Sequence, residues 1–350
     1  MMKYSISQPT CNIIYHMRLI LCEKPSVAQE VAKALGGQAK KGDGFVQVGE
    51  YVITWAYGHL LEIDDKVAGD KWELESLPVL PEEFSYRVRD SVRKQFNVIK
   101  ELLKKADEVY LNTDSGREGE LIGRLILYHA GWKNWDRTYR IWSSEALTKE
   151  VVLREIKAKR PAKNFDSLYY SALARQHADW MVGINLTRLA SLLANDRSVW
   201  SIGRVQTPVL KLIVDRENEI RNFKPKPFWQ LLIECQKEKV FKARFFKDGS
   251  WVFYDKAQVL KVLDEIKGEK TALVKKVEKK EHRKYAPPLF SITTLQMTAN
   301  RRYGWTAEKT LKLAQELYEA KFLSYPRTEA NYLDENPETK ELVKRVLRSL

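Results

Sequence analysis

Between Arg18 and His129 the chain alternates short apolar runs with stretches whose apolar residues recur every three or four positions, and this alternation restricts the fold most. Runs of strand length are Arg18 to Glu23, Tyr51 to Trp55 and Glu108 to Thr113. Helical patterns follow through Val27, Val31 and Leu35, from Phe96 to Lys105, and from Leu121 to His129. Ser26 is the expected N-cap of the first helix and Gly36-Gly37 its stop. Strand and helix in alternation predict a parallel α/β sheet. Ligands bind such sheets at the carboxyl ends of the strands, where Glu23 and Asp114 fall.

Beyond this region the pattern changes. Lys149 to Asn222 reads as helical with basic residues interleaved, Trp229 to Tyr254 alternates as antiparallel strands do, and helix returns from Ile292. The charged stretch Lys275 to Lys284 reads as a linker. The expected division is a leader over 1–17, an α/β domain over 18–148, and a helical domain over 149–222. A small β-rich segment with its linker over 223–284 and a second helical domain over 285–350 complete it.

Sixty Lys and Arg against forty-six Asp and Glu leave a net charge of +14, which favours a polyanionic partner through release of phosphate counterions. A generally basic enzyme would show the same excess. Cys11, Cys22 and Cys235 are too few and too scattered for a disulfide framework or a zinc site, which fits a reducing cytoplasm. No apolar run reaches the ~18 residues of a membrane span, so no membrane partner is expected.

Two segments carry the chemistry. Asp114-Ser115-Gly116-Arg117-Glu118-Gly119-Glu120 lies between a strand and a helix and places carboxylates at a backbone turn. Such a group suits a hard cation like Mg²⁺, which takes oxygen ligands and keeps several waters. Glu118 and Glu120 could equally do no more than complement the positive end of the helix. In Ser324-Tyr325-Pro326-Arg327-Thr328 the proline drives Tyr325 towards an extended conformation, which can present a phenol, and Arg327 can neutralise charge on a phosphate. A packed surface tyrosine is the alternative.

Together Glu23 and the Asp114 to Glu118 segment resemble a Toprim domain, in which a strand-end Glu joins a DxDxE motif; here Gly116 occupies the place of the second Asp. Glu120 could compensate for the missing carboxylate, which the sequence alone leaves open. Tyr325-Pro326-Arg327-Thr328 resembles the nucleophile motif of type IA topoisomerases, in their topoisomerase III branch, with Glu329 and Ala330 for the usual Asp and Ser. Further blocks follow in the family's order. Glu23-Lys24-Pro25-Ser26 is similar to its opening motif, Ser201-Ile202-Gly203-Arg204-Val205-Gln206-Thr207-Pro208 to its SxGRVQTP motif, and Arg175 with Asp179 to a helix lining the single-strand groove. Pro287 to Phe290, Leu295-Gln296 and Asn300 to Gly304 resemble the helices ahead of the nucleophile. His59 also fits a family block but stays outside the expected catalytic set.

The resemblance implies that Tyr325 attacks a DNA phosphodiester, leaving a 5′-phosphotyrosyl link and a free 3′-hydroxyl. Arg327 and Lys24 would steady the phosphate, Glu23, Asp114 and Glu118 would hold Mg²⁺, and Glu23 would return a proton to the 3′ oxygen. Arg175, Asp179, Ser201, Arg204, Gln206 and Gln296 would face single-stranded DNA. No ATP is implied, and the sequence has no GxxxxGK[ST] loop. The resemblance implies that family members run well past the tyrosine, so the expectation is an incomplete ring, with either a second polypeptide supplying the rest or the chain being a fragment. A Toprim-type nuclease or primase-like enzyme and a non-catalytic DNA-binding subunit remain open at this level.

Overall fold

The first apolar run becomes β1 (Arg18–Cys22), in which Leu19, Ile20, Leu21 and Cys22 are all fully buried. A strand buried on both faces must lie inside a sheet covered on both sides. The computed structural model describes residues 16–349 except Ser144, Ala146, Leu147, Glu329, Asp334 and Asn336. The expected leader therefore lies outside the described residues apart from its last two.

After β1 come α1 (Pro25–Leu35), β2 (Ala39–Gly42), β3 (Phe45–Val48), β4 (Tyr51–Trp55), β5 (Leu61–Ile63), β6 (Tyr86–Val88), α2 (Arg93–Leu103) and β7 (Glu108–Asn112). Next are α3 (Arg117–His129), β8 (Thr138–Arg140), α4 (Lys149–Ala158), β9 (Arg160–Pro161) and the 29-residue α5 (Asp166–Ala194). The seven-stranded sheet has the order β2-β3-β4-β1-β7-β8-β9. Its centre is parallel, as expected, but β2, β3 and β9 run antiparallel. The meander follows from its connections, since β2 and β3 are joined only by Asp43-Gly44, a two-residue hairpin signal, with Gly44 at φ +79°.

Alternation along β1 sends Leu19 and Leu21 to one core with Phe96 and Ile99 of α2, Leu121 and Leu125 of α3, and Tyr169 and Ala172 of α5. Ile20 and Cys22 face the other core, with Val31 of α1 and Val152 and Ile156 of α4. Arg188 of α5 donates to the carbonyls of Ala68, Gly69 and Lys71, and Asn185 bonds both backbone groups of Val79. These contacts pin the irregular 64–85 segment onto the long helix.

Three local expectations change. Helix α1 starts at Pro25, with Lys24 in the cap position and no side-chain cap, so Ser26 lies inside the first turn. The fixed φ of proline suits the first helical position, and it wins over the capping tendency of the serine. Helix α3 begins at Arg117, four residues before the apolar pattern does, because its first turn is built on the acidic segment. The stretch 149–222 is not continuous helix but α4, a short strand, α5, a loop and α6 (Gln206–Arg221).

The residues up to 204 with those from 287 onward form one unit, and Val205–Ala286 forms a second. The second holds α6, the hairpin of β10 (Leu232–Gln236) and β11 (Val240–Arg244), and α7 (Lys256–Ile266), around a small core of Leu231, Phe253 and Val259. The end of the alternating stretch, Trp251 to Tyr254, forms only an isolated bridge from Phe253 to Trp229. The first unit closes with α8 (Ile292–Tyr303), α9 (Ala307–Glu319) and α10 (Pro337–Ser349). Ser291 and Thr294 form a capping box at the start of α8, and Gly304, at φ +68°, ends it.

Candidate active site

Strands β1 and β7 pair in parallel with Cys22 opposite Asn112, so the chain leaves both strands at the same level. Glu23 and Asp114 emerge there side by side, and the Asp114 amide donates to Glu23 Oε2 at 3.0 Å. Glu23 is 8% exposed. Burial and the nearby Asp114 carboxylate both raise its pKa from the ordinary range. Lys24 Nζ lies 3.8 Å from a carboxylate oxygen of each.

Behind this pair stands a buried ionic cluster. Glu120, fully buried, accepts from Arg124 Nε at 2.8 Å and from Arg140 Nε at 2.7 Å. Arg140 then donates to the carbonyls of Leu111 (3.0 Å), Ile141 (2.6 Å) and Asp114 (2.7 Å), which fixes the turn carrying the acid. Arg124 reaches Asp166 at 2.6 Å and the Ala162 carbonyl. Glu120 is thus fully engaged behind the site, which answers the question the sequence left open of whether it could stand in as a ligand. Gly119 lets α3 approach this closely, because a Cβ there would lie 2.1 Å from the Asp114 carbonyl oxygen.

Tyr325 arrives from the far end of the chain. Its hydroxyl donates to Asp114 Oδ2 at 2.7 Å, and its ring meets Tyr318 edge-on with centroids 5.6 Å apart. Burial, the bond to Asp114 and the charges of Asp114 and Glu23 push its pKa well up, while Arg327 opposes them. Burial and Asp114 push Tyr318 up to about 12. The space left between Val27, Asp114, Ser115, Ser143, Tyr318 and Tyr325 is about 20 Å³, room for about one water. Ser115 and Ser143 brace its wall with reciprocal bonds of 2.9 and 3.0 Å. The backbone of Thr328 accepts from Ile292 N–H, tying the tyrosine segment to the start of α8.

Of the expected residues, Glu23, Lys24, Asp114 and Tyr325 are brought together, and exposed Arg327 acts on the tyrosine through its charge. Glu118 is turned to His59, whose bond holds its carboxyl below the usual range. Among the described residues no three His, Cys, Asp or Glu side chains stand ready to hold a metal ion. The Glu23 and Asp114 pair nonetheless suits a hard divalent cation: two crowded oxygen donors whose repulsion already shows in Glu23. Gly116 leaves open space where a Cβ would meet nothing within 4 Å.

Arg175, Asp179 and Arg204 cluster, with Asp179 bonded to Arg204 and Arg175 Nε 3.8 Å away from it. Ser201 lies in a loop pinned to α5 by the Thr187 and Ser191 hydroxyls. Gln296 donates to the Ala307 carbonyl at the corner between α8 and α9, and Gln206 opens α6 in the second unit. The pairing of Glu120 with Arg124 and Arg140, the Ser115–Ser143 brace and the role of Tyr318 were not read from the sequence. Only the apolar surroundings of Arg140 hinted at a buried charge.

The Toprim domain family matches residues 18–146 and the DNA topoisomerase family residues 163–349. The DNA topoisomerase 3 of Shouchella clausii is 38% identical over 323 residues, and that of Bacillus licheniformis 36% over 329. Each alignment covers 90% of this chain and 43% of the relative, so the chain spans less than half the length of the curated relatives it matches. Full-length topoisomerase I from Thermotoga maritima superposes with a TM-score of 0.67 at 25% identity, covering 95% of this chain and 52% of that one. With both family matches falling in order on the two halves that meet at Tyr325 and Asp114, the chain belongs to the type IA DNA topoisomerases, in their topoisomerase III-like branch.

Proposed function

We propose that the chain breaks and rejoins single-stranded DNA through Tyr325, without ATP. The observation that carries this reading is the 2.7 Å bond from the Tyr325 hydroxyl to Asp114, which joins the phenol to the acidic end of the sheet across 211 residues. The phenol is not ionised at rest, because its surroundings raise its pKa, so its proton must leave as the oxygen attacks. On this reading Asp114, which accepts the hydroxyl's hydrogen bond, takes that proton. The tyrosine oxygen forms a bond to phosphorus, the bond from phosphorus to the 3′ oxygen breaks, and Glu23 supplies a proton to the 3′ oxygen. Its raised pKa suits it to carry one. Lys24 and Arg327 balance the charge that grows on the phosphate. Resealing is the reverse, with the ester keeping the bond energy.

Mg²⁺ would be held by Glu23, Asp114 and Glu118, and would supply positive charge against the carboxylates and the phosphate. Arg175, Asp179, Ser201, Arg204, Gln206 and Gln296 are assigned to the single strand. The 20 Å³ crevice is too small for a nucleotide, so the tyrosine segment has to move for DNA to enter. Relaxation or decatenation would further need the regions that the relatives carry beyond the matched span, on this or a second polypeptide. The free thiols Cys22 and Cys235 suit a cytoplasmic setting, on the nucleoid. Among the described residues no helix is long and apolar enough to cross a membrane.

The test is a denaturing gel after incubation with labelled single-stranded oligonucleotide and Mg²⁺. Wild type should carry label that Tyr325→Phe lacks; equal label on both removes the nucleophile assignment.

A further inference from the structure

Helix α9 ends on an unexpected residue. Phe322 N–H donates to the Leu317 carbonyl and Lys321 N–H to that of Tyr318, both at 2.9 Å. These are the paired bonds of a Schellman turn, whose C′ residue takes left-handed backbone and is usually glycine. Here it is Lys321, at φ +69°. A Cβ crowds the following carbonyl in that conformation, so lysine is a strained choice. Strain of this kind persists where the surroundings hold it in place.

What holds it is the side chain. Lys321 Nζ lies 2.8 Å from Glu30 Oε2 on α1, the helix that starts directly after Glu23 and Lys24. Lys33 pairs with the other Glu30 oxygen at 2.7 Å, and the two lysines keep the Glu30 carboxyl below its usual range. The contact around the pair is otherwise loose, with a cleft of about 150 Å³ bordered by Ser26, Val27, Gln29 and Tyr318. The tyrosine turn is therefore held by a few discrete bonds, of which Lys321–Glu30 ties it to α1 and Tyr325–Asp114 to the turn after β7.

We infer that Lys321 is a positioning residue: with Glu30 it forms a latch that seats the tyrosine-bearing turn against α1 and must part for a phosphodiester to reach Tyr325. The latch itself needs only the geometry above, while its link to cleavage rests on the function proposed for Tyr325.

Two readouts on the 350-residue chain separate these. The first is amide hydrogen exchange of residues 322–328, which needs no activity. Lys321→Glu should speed it roughly threefold, the scale of one partly exposed ion pair, and the swap Glu30→Lys with Lys321→Glu should restore it. Lys321→Gly should speed it too while leaving the melting temperature unchanged or higher, since glycine suits the turn. Unchanged exchange in Lys321→Glu and Lys321→Gly, or failure of the swap to restore it, overturns the latch. The second readout is the lifetime of the covalent complex after a salt jump, which should lengthen by a similar factor in Lys321→Glu because the open state no longer recloses as readily. Normal lifetimes with faster exchange would overturn its positioning role, and no covalent complex from wild type would overturn the proposed function while exchange still decides the latch.

Discussion

At the scale of single residues, the site depends on charges that never see solvent. Glu120, Arg124 and Arg140 lie within 3% of full burial, and removing one partner leaves an uncompensated ion. Glu120→Leu or Arg140→Met should cost about 3 to 5 kcal/mol, read as a fall in the denaturant midpoint; an unchanged midpoint would mean the cluster is not as dry as described. Gly119→Ala should also destabilise, because its new methyl would strike the Asp114 backbone. Gly116→Asp should do the opposite of harm. Its Cβ meets open space, and a further carboxylate beside Asp114 should tighten Mg²⁺ binding, by calorimetry, without loss of stability. The sequence located Glu23, Asp114 and Tyr325 by their places at strand ends and before a proline. It could not distinguish Glu118 from Glu120, since both sit in the first turn of α3 and only three-dimensional packing sends one outward to His59 and the other inward to two arginines.

At the scale of elements, short continuous apolar runs revealed β1, β4 and β7, which are buried on both faces, and a three- to four-residue apolar repeat revealed α1 and α2. These signals missed β2, whose four residues are all exposed, and misplaced the start of α3 because the first turn is built from Glu118, Gly119 and Glu120 instead of leucines. The 64–85 segment was invisible for a similar reason: it is held by polar side chains of α5 and by ring stacking. His177 of α5 lies flat on Phe84 at 3.7 Å and bonds the Tyr86 hydroxyl at 2.9 Å. Burial lowers the pKa of His177, so the folded chain binds fewer protons there than the unfolded chain. The stability it contributes is complete above the unfolded value of about 6.5 and fades as pH falls towards the lower folded value. Wild type should therefore lose more of its melting temperature between about pH 7 and 5.5 than His177→Phe does. A parallel decline in both would remove the histidine from the account.

For the whole molecule, the charge of +14 read from composition makes a quantitative demand. If single-stranded DNA lies on the clustered arginines, log affinity should fall linearly with log salt, with a slope of about −0.7 per phosphate contacted. Arg204→Ala should flatten that slope by about 0.7, and a slope near zero in wild type would argue against a phosphate-tracking groove. Chelating Mg²⁺ should slow resealing more than cleavage, so that covalent complex accumulates; equal slowing would place the cation in both steps alike. Composition could not reveal which parts meet, because the bond from Tyr325 to Asp114 joins segments separated by the entire second unit in sequence. That bond has a further meaning for a cell. If Tyr325 is the nucleophile proposed above, the resting chain carries its blade sheathed, the hydroxyl turned towards two acids that would repel a phosphate backbone. On that proposal, the contact that prepares the attack would also restrain an idle copy.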